Sequence, residues 1–132
     1  MEKTFIMLKP DALQRHLVGK IVDRIESKGY KITKYKSEML SEELLKKHYS
    51  HIVDKPFFPT VVEYMTSGPV LMMQVEGENV IQGMRKLMGP TRFDEAEPGT
   101  IRGDFALSTE KNVIHGSDSV ENAKIEIERF LG

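Results

Sequence analysis

The chain has 132 residues, 39% of them hydrophobic and 30% charged, with a net charge of −1 and no cysteine. This fits one domain, residues 1–132, large enough to bury a core; it argues against a general nucleic-acid binder, which would carry a basic excess, and removes disulfides, thiolate nucleophiles and cysteine-type zinc sites. The first apolar run is too short for a signal peptide and no stretch approaches a membrane span, so a cytoplasmic protein without a membrane partner is expected.

TFIML at 4–8 is a continuous apolar run and predicts a strand buried on both faces, ended by Lys9-Pro10-Asp11. Val18, Ile21, Val22 and Ile25 share one helical face, and Lys28-Gly29 stops that helix. Residues 30–40 read as a second strand with imperfect alternation. Ser41 before Glu42-Glu43 predicts a helix start. Residues 55–59 (KPFFP) form a rigid loop, and Val61, Val62 and Met65 suggest a short helix after it. Val70 to Val75 is a third strand, opened by Gly68-Pro69. Val80, Ile81, Met84, Leu87 and Met88 mark an amphipathic helix ended by Gly89-Pro90. Residues 89–111 are polar, and a segment so long without structure either carries function or hides an element. Val113-Ile114 predicts a short last strand; the last helix buries Val120, Ala123, Ile127, Phe130 and Leu131. The core of this order is βαββαβ, an α+β, ferredoxin-like sandwich with a four-stranded antiparallel sheet.

NVIHGSDS at 112–119 places a titratable ring, His115, between the last strand and the last helix. Imidazole is a competent nucleophile that changes charge near neutral pH. Gly116 permits close approach of a ligand, and Ser117-Asp118-Ser119 supplies capping oxygens, with Asp118 and Glu121 in capping-box spacing. A surface histidine beside a capped helix is the alternative. Glu126 lies at the edge of the last helix's apolar face; if that helix turns back along the strand, its carboxylate can orient His115, and otherwise it is a solvated charge. Lys9 ends a buried strand, Arg85 borders an apolar helix face, and Arg102 lies between Gly99 and Gly103. Such cations suit phosphate, and arginine binds it in a bidentate fork; singly, each also fits a structural ion pair. Thr91 adds a hydroxyl and Tyr49 a phenol. Of Phe57 and Phe58, one is expected in the core while the other can stack on a flat ligand. His48 and His51 have helical spacing for a metal but lack a third ligand of clear spacing. Neither GxxxxGK[ST] nor GxGxxG occurs, so any nucleotide phosphates must be held by side chains.

These blocks resemble those of the nucleoside diphosphate kinase family: NVIHGSDS, MLKPDALQR at 7–15, HYSHIVDKPFFPTVVEYMTSGPV at 48–70 and PGTIRGDF at 98–105. The resemblance spans essentially the whole chain. It implies a ferredoxin-like sandwich assembled into homo-oligomers, hexamers in first place and tetramers as an alternative. It also implies transfer of the γ-phosphate of ATP or another nucleoside triphosphate to a nucleoside diphosphate, with Mg²⁺ carried by the nucleotide phosphates rather than by protein ligands. The route it implies is ping-pong through a phosphohistidine. By the same resemblance His115 is the nucleophile, with Gly116 leaving room for the phosphoryl group, and Glu126 is its orienting carboxylate, supported by Ser117. Lys9 and Asn112 contact sugar hydroxyls and phosphate, and Tyr49 sits near the transferred group. Arg85, Thr91 and Arg102 form the phosphate clamp, and Phe57 stacks on the base.

Phosphoryl transfer asks a protein mainly for positioning and positive charge. Stacking uses a π-face that every base has, so broad base and sugar tolerance is expected. Two other readings are a non-enzymatic nucleotide- or RNA-binding ferredoxin-like module, which lacks the expected aromatic strand pattern here, and a phosphohydrolase that loses its phosphohistidine to water. The chain departs from the family where Arg92-Phe93 replaces the common Asn-Pro, in a loop that borders subunit contacts, and in ending at Gly132, before the tail of many members.

Overall fold

A computed structural model describes residues 1–132. The strands are β1 (Glu2–Leu8), β2 (Lys31–Glu38), β3 (Val70–Gly77) and β4 (Ile114–Gly116). They form one sheet in the order β2-β3-β1-β4, every neighbouring pair antiparallel. The helices are α1 (Pro10–Gln14), α2 (Val18–Ser27), α3 (Glu42–His48), α4 (Phe58–Met65), α5 (Val80–Met88), α6 (Ile101–Phe105) and α7 (Val120–Leu131). No helix is long and apolar enough to cross a membrane.

Alternation along β1 builds two cores. Ile6 and Leu8 meet Ile21 and Ile25 of α2 and Ile81, Met84 and Met88 of α5 on one face. Phe5 and Met7 meet Leu45 of α3, Met65 of α4 and Phe130 of α7 on the other. Both faces of β1 are therefore buried, as the apolar run required. The βαββαβ frame is the expected one.

Local chemistry explains the element boundaries. Ser41 caps α3 through its hydroxyl, which accepts from the Leu44 N–H at 3.1 Å. Pro59 sits in the first turn of α4, where no amide hydrogen is missed. The polar segment 89–111 does hide elements, a single 3-10 turn at Phe93–Glu95 and the five-residue α6, capped by Thr100. A short helix, α1, follows β1 directly. The last helix is capped by Ser119, whose hydroxyl accepts from the Asn122 N–H at 3.1 Å, not by an Asp118/Glu121 box; Asp118 instead accepts from the Asn122 side chain.

The last strand is also displaced. It begins at Ile114 and contains His115, while Val113 lies outside it with φ +64°. The Ile114 N–H donates to the Asn112 carbonyl at 2.8 Å across Val113. That is a γ-turn of the rarer, strained kind, in a β-branched residue that seldom takes positive φ. The turn holds because Val113 and Ile114 are fully buried and the Val113 carbonyl accepts from the Lys9 N–H at 2.8 Å.

Candidate active site

His115 pairs with Met7 across β1 and β4, so its ring belongs to the face that carries Phe5 and Met7. α7 crosses this face and presents Glu126. His115 Nε2 lies 2.9 Å from Glu126 Oε1, and the Ser117 hydroxyl donates to the same oxygen at 2.7 Å. Ser117 and Glu126 are buried; the His115 side chain keeps 25% of its surface. Burial alone would push the Glu126 carboxyl up, but the His115 and Ser117 hydrogen bonds and the nearby imidazoles hold it below the usual value. An ionised Glu126 accepts the Nε2 proton and leaves the Nδ1 lone pair, which makes no protein hydrogen bond, available for reaction.

Two clefts share Tyr49. One, of about 440 Å³, is lined by His115, Arg85, Glu126 and His48 among others. The other, of about 410 Å³, is lined by Lys9, Phe57, Thr91 and Asn112 with neighbours from α4. Phe57 is 52% exposed while Phe58 is buried, so the pair divides as the sequence suggested. Lys9 Nζ donates to the buried Asn112 side-chain oxygen at 2.8 Å.

Arg102 stands near enough to both Lys9 and Arg85 for their charges to act on one another. Arg102 is buried on α6, where its two terminal nitrogens donate to the Gly89 carbonyl at 3.0 Å and the Ile114 carbonyl at 2.6 Å. It lines neither cleft, and its Nε is buried without a partner. Burial and the neighbouring Arg85 push it down to about 10, leaving it charged at neutral pH. Burial, then Arg102, push the Lys9 ammonium down to about 8, against an opposing pull from Asp11. Burial and Glu126 push the Tyr49 phenol up to about 12, so it stays a neutral donor. Like charges held this close are unfavourable alone and are relieved by an anion among them.

One expectation is corrected. A side chain on Gly116 would not enter the clefts; a Cβ there would meet Met88 Sδ at 2.7 Å and Ile6 Cδ1 at 3.1 Å. This glycine lets β4 lie against the α5 core rather than making room for a phosphoryl group. The sequence also missed a neighbour of His115 and the residue behind it. His48 packs edge-on against it, centroids 5.0 Å apart, and Arg129 Nη1 lies 3.3 Å from His48 Nδ1. Burial, then His115, hold the His48 ring below the ordinary histidine range. Nothing in the spacing of residues 48, 115 and 129 announces that contact.

The family model for nucleoside diphosphate kinase matches residues 2–132. The chain belongs to the nucleoside diphosphate kinase family. Its members include the nucleoside diphosphate kinase of Oceanobacillus iheyensis, 55% identical over 131 residues, which are 99% of this chain and 88% of that protein. The apo crystal structure of the Encephalitozoon cuniculi kinase superposes with a TM-score of 0.96 at 48% identity, covering 100% of this chain and 90% of that one. The halophilic kinase from Halobacterium salinarum, solved in complex with CDP, gives 0.93 at 46% identity, covering 98% and 86%. The chain is thus an enzyme of nucleotide phosphotransfer, a nucleoside diphosphate kinase by family.

Proposed function

We propose that residues 1–132 act as one catalytic domain in which His115 carries the γ-phosphoryl group from a nucleoside triphosphate to a nucleoside diphosphate. The observation that supports this most is the Ser117–Glu126–His115 chain, which leaves Nδ1 free on a cleft shared with Arg85. The Nδ1 lone pair attacks the γ-phosphorus, the P–N bond forms, and the bond to the bridging oxygen breaks as the diphosphate leaves. A second diphosphate then attacks the phosphohistidine through a terminal oxygen and reverses these steps. Glu126 keeps the Nε2 proton and stabilises the positive charge that builds on the ring. Arg85, Lys9, Thr91 and the Tyr49 hydroxyl stabilise the spread phosphoryl charge as donors from the clefts, and losing one direct donor costs roughly 10²–10³ in rate. Arg102 contributes its charge from outside them, with its terminal nitrogens on Gly89 and Ile114. Asn112 holds Lys9 and faces the sugar.

Mg²⁺ would accompany the nucleotide in this reading, held by the phosphates rather than by a side chain of this protein, and would supply neutralisation of their charge. The side chains fit that arrangement: the one cluster of potential ligands around His115 is nitrogen-rich, and Mg²⁺ prefers oxygen. Phe57, half-exposed at the mouth of the second cleft, stacks on the base. The variant Phe57→Ala is expected to weaken binding of all bases by a similar factor, about 1–3 kcal/mol each, measured by calorimetry with purine and pyrimidine diphosphates; loss for one base alone would reveal hydrogen-bond readout. We place the activity in the cytoplasm, where its nucleotide donors and acceptors are abundant, and infer a homo-oligomer, a hexamer before a tetramer.

Incubation with γ-labelled ATP and no acceptor tests the reading. A kinase gives acid-labile, base-stable label on the protein, abolished in His115→Ala; a binding module gives none, and a phosphohydrolase releases phosphate continuously. An RNA-binding sheet would need an open aromatic face, whereas here Phe5 and Met7 lie under α3, α4 and α7.

A further inference from the structure

Two groups that the transfer reaction uses, His115 and Glu126, share their corner of the cleft with a third, His48, that it does not require. His48, His115 and Glu126 each offer one ligand atom, and the three lie within 4.8 Å of one another. His48 closes α3, His115 sits in β4 and Glu126 comes from α7, so three separate elements converge. Two imidazoles and a carboxylate are a donor set for a borderline divalent transition metal such as Zn²⁺, with one position left for water. Tetrahedral ligands around zinc stand about 3.3 Å apart, given metal–ligand bonds near 2.0–2.1 Å. The His115–Glu126 edge, at 2.9 Å, is already that short. His48 closes the triangle by moving in roughly 1–1.5 Å to reach the same spacing.

We propose that His48, His115 and Glu126 form a Zn²⁺ site that holds the enzyme inactive, and that Arg129 opposes its loading. The chemistry balances without an added reagent. Zinc takes the Nε2 lone pair of His115, the Nε2 proton leaves to solvent, and Nδ1 takes one up. The pair of electrons that would attack phosphorus is then tied up in an N–H bond. Arg129 competes because a neutral imidazole has one ring lone pair, and the guanidinium now donates to it at His48 Nδ1. Its charge also repels the cation. The inhibitory consequence rests on His115 being the phosphoryl carrier; the binding of zinc does not.

The test titrates the purified enzyme with Zn²⁺ against a chromophoric chelator, and repeats the titration with Co²⁺ to read visible absorption. One ion per chain with a tetrahedral cobalt spectrum is expected. His48→Gln should weaken zinc by at least ~10-fold, as loss of a ligand should cost no less than loss of a supporting contact. Arg129→Met should tighten it, and His51→Ala, on the exposed neighbouring histidine, should leave it unchanged. Unaltered affinity in both His48→Gln and Arg129→Met, or equal loss in His51→Ala, overturns the site. Zinc should also suppress labelling by γ-labelled ATP, reversed by a nitrogen chelator that spares Mg²⁺. Full labelling of zinc-loaded enzyme overturns the inhibition. Absence of label without zinc would instead defeat the phosphohistidine reading and leave the metal measurement standing.

Discussion

At the scale of single residues, the charge of Lys9 is the adjustable quantity. Its ammonium is pushed from 10.5 to about 8 by burial and by Arg102. The unfolded chain therefore binds more protons than the folded one between about pH 8 and 10.5, and Lys9 adds stability as pH rises through that window. Nucleotide binding runs the other way. A phosphate beside Nζ favours the charged form, so binding takes up a proton near pH 8 and affinity falls as pH climbs above it. Calorimetry in buffers of different ionisation enthalpy should detect the uptake, and Lys9→Met should remove it; affinity flat from pH 7 to 9.5 would contradict the assignment. Glu126→Ala should slow phosphorylation roughly 10–100-fold, the usual cost of losing an orienting partner, while nucleotide affinity stays near wild type in a rapid-quench and binding comparison. Their positions, a lysine closing a buried strand and a carboxylate on the edge of an apolar stripe, marked both residues as in need of a counterpart, but the residues alone left a structural ion pair or a solvated charge open, and the family resemblance singled out their roles. The His48–Arg129 pair was not legible, because nothing in local spacing relates a residue of α3 to one of α7.

At the scale of elements, the approach of β4 to α5 rests on one missing methyl group. Gly116→Ala puts a carbon 2.7 Å from Met88 Sδ and 3.1 Å from Ile6 Cδ1, both fully buried. A stability loss of about 1–3 kcal/mol is expected from such overpacking, read as a lower denaturant midpoint; an unchanged midpoint would mean that the glycine serves the cleft after all. The long periodic elements, α2, α5 and α7, announce themselves through their apolar stripes. The short ones do not. α1 is only five residues and begins at a proline that also reads as a strand stop, and α6 is five residues with a glycine inside it. Their existence depends on burial of Ala12, Ile101 and Arg102 against the rest of the chain, which is tertiary information. The γ-turn at Val113 was equally invisible, since a β-branched residue is the last that local preference would put at positive φ.

At the scale of the whole molecule, the sheet has one open border. β2 is an edge strand with almost every residue exposed; Tyr35 within it and Met39 just after it are 78% and 56% accessible. A long, uncovered edge is a surface that native proteins normally protect or pair. We expect the chain to associate through it: light scattering should give a multiple of the chain mass, and Tyr35→Lys should lower that mass, whereas a monomeric wild type would refute the expectation. The frame of the molecule was legible from hydrophobic period and turn residues, because both are local. The mutual influence of the cations was not, since Lys9, Arg85 and Arg102 stand on different elements and feel one another's charge only after folding. The placement of Glu126 on α7 carries one more consequence. A nascent polypeptide on the ribosome has His115 in hand well before α7 emerges and docks. Until then the imidazole has no carboxylate behind it, and the His115–Glu126 pair forms only once α7 has emerged and docked.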